Sequence, residues 1–112
     1  MNISSFEEFK KKRLSSGEEQ NYYVRVSGNS MYPTLKDGEF LPINLVTDYK
    51  NPLKIGTIIL YKKGKELIIH RITYVFSINK RLFYLTKGDH NKLNDKYIVR
   101  SKNIIGYINN KL

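Results

Sequence analysis

The chain has 112 residues, a formal net charge of +10 and no cysteine. One compact core fits in that length and two do not, while 40% hydrophobic and 12% aromatic residues are too many for a disordered tail. The missing cysteines exclude a disulfide framework, a thiol nucleophile and a cysteine-ligated zinc site. The first segment reads as an amphipathic helix over residues 1–17. Ser5 and Glu8 have capping-box spacing, Phe6, Phe9, Arg13 and Leu14 fall near one face, and Ser15-Ser16-Gly17 supplies a stop. Such a helix packs on a sheet edge or, through Lys10, Lys11, Lys12 and Arg13, touches a membrane surface or a partner. Glu7, Glu8 and this basic run stand where a secretory signal would have its apolar core. Apolar runs such as Leu67-Ile68-Ile69 fall far short of the roughly 20 residues that cross a bilayer. The expectation is a soluble, cytoplasmic domain without a membrane anchor.

After Gly17 the hydrophobic period changes to two. Strands are expected over Tyr22 to Ser27, Glu39 to Leu45, Thr57 to Lys62, Glu66 to Phe76, Arg81 to Thr86 and Ile104 to Ile108. Pro42 marks the second of these as an edge or a bulge, and Lys63-Gly64-Lys65 is a hairpin signal. Short strands at close spacing argue for a small, coiled, barrel-like antiparallel β domain over residues 18–112. The positive charge does not by itself argue for nucleic acid. Fifteen of the 20 basic residues are lysine and alanine is absent, a skew that AT-rich codons produce, and apart from the run at 10–13 the basic residues are dispersed.

Three patches stand out from this framework. In Ser27-Gly28-Asn29-Ser30-Met31-Tyr32-Pro33-Thr34-Leu35, glycine permits a tight turn and close backbone approach, and proline fixes the exit. Ser30 is either a presented nucleophile, with backbone N–H groups free for an oxyanion, or part of an ordinary polar turn. In Leu67-Ile68-Ile69-His70-Arg71-Ile72, a histidine sits inside an apolar strand. It is either a core imidazole satisfied by a carbonyl or a general base, since imidazole titrates near neutral pH. The third patch runs from Tyr84 through Lys87-Gly88-Asp89-His90-Asn91 to Asn94-Asp95. It is a solvated turn or the source of a carboxylate that orients the histidine. His70, His90 and the aspartates lack the tight spacing of a metal site, so no metal is expected.

Taken in order, Gly28-Asn29-Ser30-Met31-Tyr32-Pro33-Thr34-Leu35, Gly56-Thr57-Ile58-Ile59-Leu60-Tyr61, Ile69-His70-Arg71-Ile72 and Lys87-Gly88-Asp89-His90-Asn91 resemble the successive boxes of type I signal peptidases. The wider group includes the self-cleaving SOS repressors. The resemblance covers about Tyr22 to Ile108, and a histidine in the third box resembles the endoplasmic-reticulum and archaeal branch. It implies a coiled β catalytic domain and a serine endopeptidase acting on leader- or signal-type peptides without a cofactor. It further implies Ser30 as nucleophile and His70 as general base. On the same resemblance Asp95 ranks first and Asp89 second as the third member, the Ser30 and Asn29 N–H groups are the expected oxyanion hole, and Met31 and Pro33 are expected to contact substrate. The chain departs from the family at Asn29, at Thr57, where aspartate is common, and at His90, where asparagine is usual. Those departures keep open a second reading, an inactive peptide-binding module of the same fold. A self-cleaving regulator is disfavoured by the lack of a helix-turn-helix segment, an Ala-Gly cleavage site and a lysine in the His70 slot.

Overall fold

A computed structural model describes the backbone of residues 2–10 and 20–108. These residues form one antiparallel sheet of eight strands: β1 (Asn2–Lys10), β2 (Gln20–Ser27), β3 (Phe40–Leu45), β4 (Ile58–Lys63), β5 (Glu66–Ile78), β6 (Arg81–Lys87), β7 (Val99–Arg100) and β8 (Ile104–Ile108). The order across the sheet is β1-β2-β3-β8-β4-β5-β6-β7, and Asn2 of β1 also pairs Ile68 of β5. A single residue pair coils the sheet back on itself without making it a complete barrel.

Apolar alternation accounts for the strands and locates the core. β4 is buried on both faces along Ile58-Ile59-Leu60-Tyr61. Ile58 and Leu60 join Val24, Val26, Met31, Leu35 and Ile69 in one cluster, while Ile59 and Tyr61 join Ile68, Ile72, Tyr84, Val99 and Ile104 in another. Strand periodicity therefore splits β5: Ile68, His70 and Ile72 share one face, and Ile69 and Arg71 the other. Asn79 (φ 51°) and Lys80 (φ 66°) both take left-handed backbone, the conformation a two-residue hairpin turn requires. Pro42 interrupts no ladder with β8, because that pairing begins at Asn44.

The expected N-terminal helix is not what the backbone does. Asn2–Lys10 is a strand with a bulge between Ile3 and Ser5, running antiparallel to β2 from Asn2↔Ser27 to Lys10↔Gln20. The exposed edge of β2 offers a row of backbone donors and acceptors, and satisfying them outweighs a local capping-box preference. Residues 11–17 of that expectation, including Lys11, Lys12 and Arg13, lie outside the described residues. Among the described residues, no helix is long and apolar enough to cross a membrane.

Candidate active site

Ser30 stands in the turn that leaves β2. Gly28, at φ +87°, makes the left-handed step that redirects the chain, and its N–H donates to Asp37 Oδ1 at 2.8 Å. A turn over Asn29–Leu35 follows, closed by Tyr32 N–H to the Asn29 carbonyl (3.0 Å) and Leu35 N–H to the Met31 carbonyl (2.9 Å). Met31 and Leu35 anchor it in the core with no exposed surface. Met31 therefore does not face the cleft where a substrate contact was expected; its sulfur accepts the Asp89 N–H at 3.3 Å. Pro33 is exposed. The N–H groups of Asn29 and Ser30 donate to no backbone carbonyl among the described residues.

His70 is 5% exposed and is held in β5 opposite Ile59 of β4. Its Nε2 lies 3.0 Å from Ser30 Oγ, forty residues away in the chain, and its Nδ1 lies 2.5 Å from Asp95 Oδ2. A carboxylate can only accept, so the Nδ1 proton donates to Asp95 and the Nε2 lone pair faces the serine hydroxyl. Asp95 is itself fixed twice to Thr86: its backbone N–H donates to the Thr86 carbonyl (2.7 Å), and Thr86 Oγ1 donates to its Oδ2 (2.7 Å). Burial pushes the Asp95 carboxyl up, but the bonds from His70 and Thr86 outweigh it and leave the group below the usual carboxylate range. Asp95 is thus an anion at neutral pH. Tyr61, whose hydroxyl points at Thr86 and Asp95 from 3.4 and 3.5 Å, closes this pocket, and burial pushes its phenol up to about 12.

Asp89 does not reach His70. It accepts two bonds from Arg71, Nε to Oδ1 at 2.8 Å and a terminal nitrogen to Oδ2 at 2.7 Å, and a third from Thr34 Oγ1 at 2.6 Å. The Arg71 guanidinium, aided by Thr34, holds the Asp89 carboxyl below its ordinary value against burial. Arg71 also donates to the Gly56 carbonyl at 2.8 Å. One ion pair therefore ties the serine turn, β5 and the loop after β6. Within that loop, the His90 N–H donates to the Ser30 carbonyl at 2.8 Å, and its ring meets Tyr32 edge-on at 6.1 Å between centroids. Gly88 packs so closely that a Cβ built there would stand 2.6 Å from the Ser30 carbonyl oxygen.

The sequence therefore nominates Ser30, His70 and Asp95, and the fold brings these three into one line. It holds Asp89 in a separate pair and His90 at the rim. Among the described residues no group of three or more His, Asp or Glu side chains converges as a metal-ligand set. Sequence reasoning assigns no role to Thr86, Arg71, Thr34 or Gly88, although the last three stand in the motifs that carry the resemblance. Thr86 could have been found as a hydroxyl on the inward parity of β6, where its neighbours Tyr84 and Leu82 pack into the core. An alcohol, an imidazole and a carboxylate in this order can pass a proton from oxygen to nitrogen while the charge that forms on the ring is balanced.

Residues 2–106 match the protein-family model described as Peptidase S24-like. The signal peptidase complex catalytic subunit SEC11 of Clavispora lusitaniae is 32% identical over 90 residues, covering 79% of this chain and 51% of its own length. The catalytic subunit SEC11C of Homo sapiens is 33% identical over 85 residues, covering 72% of this chain and 42% of its own. The chain spans about half the length of the curated relatives it matches.

Proposed function

The chain belongs to the Peptidase S24-like family, and from that premise we propose that it is a serine endopeptidase cleaving leader- or signal-type peptides through Ser30, His70 and Asp95. The observation that carries this reading is the 3.0 Å approach of Ser30 Oγ to His70 Nε2, with Asp95 on the opposite ring nitrogen. The relatives named as signal peptidase catalytic subunits support the substrate class.

Ser30 Oγ attacks the scissile carbonyl carbon as its proton moves to His70 Nε2. Asp95 keeps the ring in the tautomer that leaves Nε2 free, and stabilises the imidazolium. The Ser30 and Asn29 N–H groups, which have no backbone partner among the described residues, receive the oxyanion; one such donor is worth on the order of 3 kcal/mol in the transition state. Collapse of the tetrahedral adduct breaks the C–N bond. The proton on Nε2 goes to the leaving amine, and an acyl group remains on Ser30. Water then attacks the ester, gives its proton to His70, and frees the carboxylic acid and the serine hydroxyl. Pro33, exposed beside the nucleophile, borders the path of the incoming peptide.

The test is a mass-spectrometric screen of leader and signal peptides against wild type, Ser30→Ala and His70→Ala. The reading predicts defined cleavage products with wild type alone. Products that persist with Ser30→Ala contradict the mechanism, and tight peptide binding without any product identifies a binding module.

A further inference from the structure

A pocket of about 490 Å³ opens at the other end of the β5–β6 hairpin from Ser30, lined by residues 80–83, residues 100–102 and Tyr49. About 17 Å of extended strand separates Arg81 from Thr86 beside the candidate active site. Its volume lies within the range of small-molecule sites. Its charge is one-sided: Lys80, Arg81, Arg100 and Lys102 contribute four cations, all exposed, and no acidic side chain is in the lining. No carboxylate of the described residues pairs with any of the four. Asp48, the acid next to Tyr49, turns back to the Lys50 N–H and the Asn51 amide.

Register concentrates this charge. Phe83 pairs with Arg100 across β6 and β7, and Arg81, two residues before Phe83 on β6, shares that face as a diagonal neighbour of Arg100, while Lys102 follows in the 3-10 turn Ser101–Asn103. Like charges held as neighbours on one face of a sheet repel, and no carboxylate of the described residues relieves them. Compositional drift explains surplus lysine but not this placement of arginine: the chain has five arginines and two are here. The wall is held in place, with Ser101 Oγ donating to the Tyr49 carbonyl at 3.2 Å and the Tyr49 hydroxyl to the Ile104 carbonyl at 3.4 Å.

We propose that this pocket binds a phosphate-bearing anion, with the phosphate between Arg81 and Arg100 and its organic body against Phe83 and Tyr49. Guanidinium forks match phosphate oxygens in pairs, which isolated surface lysines do not. A soluble phosphate ester and a phospholipid headgroup share this chemistry.

The experiment is calorimetric titration of the full chain with inorganic pyrophosphate at about physiological salt, where diffuse surface attraction is largely screened. Saturable one-to-one binding is expected. Replacing both arginines (Arg81→Gln with Arg100→Gln) weakens it about tenfold or more and, by relieving repulsion, leaves the melting temperature at or above that of wild type. Removing the same charge elsewhere (Lys62→Gln with Lys65→Gln) leaves binding intact, as does Ser30→Ala, which separates this site from the peptidase reading. Sedimentation with phosphatidylserine-containing vesicles, reversed by pyrophosphate, identifies a lipid headgroup as the source; pyrophosphate binding without sedimentation identifies a soluble ester. Absence of saturable heat, equal loss in the lysine pair, or binding of a glutamate-rich peptide but not pyrophosphate overturns the proposal.

Discussion

Two consecutive residues of β5, His70 and Arg71, point to opposite faces of the sheet, and each is met by an aspartate from the same loop after β6. On one face Asp95 and Thr86 surround an imidazole whose far nitrogen reaches a hydroxyl. On the other face Asp89 and Thr34 surround a guanidinium that carries its charge at every working pH. The carboxylates are alike in exposure, 19% and 15%, and both are held below their ordinary range. They differ in what the partner can do. An imidazole can release and regain a proton, so its carboxylate is the one the proposed mechanism uses; a guanidinium cannot, and its carboxylate fastens the serine turn to the strand.

That contrast is broken most severely by Asp95→Asn. It is expected to lower kcat about 10⁴-fold with the fold retained by circular dichroism, because the amide favours the wrong imidazole tautomer. A loss comparable to that of Asp89→Asn would erase the distinction. Next in size is Gly88→Ala, which crowds the Ser30 carbonyl and displaces the nucleophile. Peptide cleavage should fall about 100-fold, with a melting temperature change too small to explain it.

Asp89→Asn sharpens the comparison from the other side. Losing a charged partner of Arg71 should cost about 2 kcal/mol of stability in urea denaturation, with kcat within about tenfold of wild type for the folded fraction. The pH dependence follows from the sign of the shifts. Both aspartates have folded values below the 3.8 of a free carboxylate, so the unfolded chain binds more protons as acid is added. Their stabilisation is complete above about pH 4 and is lost as pH falls through the folded values. The Asp89→Asn variant should show a shallower acid limb than wild type. The smallest effect is alkaline: Tyr61, raised from 10.0 to about 12, favours the fold below pH 10 and loses that contribution as pH rises toward 12. Tyr61→Phe should flatten that limb of the urea midpoint against pH, and an unchanged limb would contradict the burial of its hydroxyl.

Much of this was legible in the residues, and the illegible parts share a cause. The six apolar strands and the Lys63-Gly64-Lys65 hairpin announce themselves within a few residues, because alternation and turn chemistry are local. Gly28, Ser30 and Pro33 mark a turn with a presented hydroxyl for the same reason, and His70 stands out against Ile68, Ile69 and Ile72. β1 was misread because Ser5, Phe6, Glu8 and Phe9 also satisfy a helical spacing, while the partner that decides the matter, β2, enters only at Gln20. β7 is two residues long and has no period to read. Asp95 could be preferred over Asp89 only through family resemblance. Nothing local in the loop says that Arg71 and Thr34 will occupy one carboxylate and leave the other to His70, since those contacts span up to 55 residues.

The central claim is that Ser30 and His70 act as one chemical unit, and kcat/KM for a cleaved peptide across a double-variant cycle tests it most directly. Ser30→Ala and His70→Ala should each lower the rate about 10⁴-fold or more, and the double variant should fall no further than either. Losses that multiply in the double variant, or a Ser30→Ala protein that still turns over at the wild-type rate, would contradict the account.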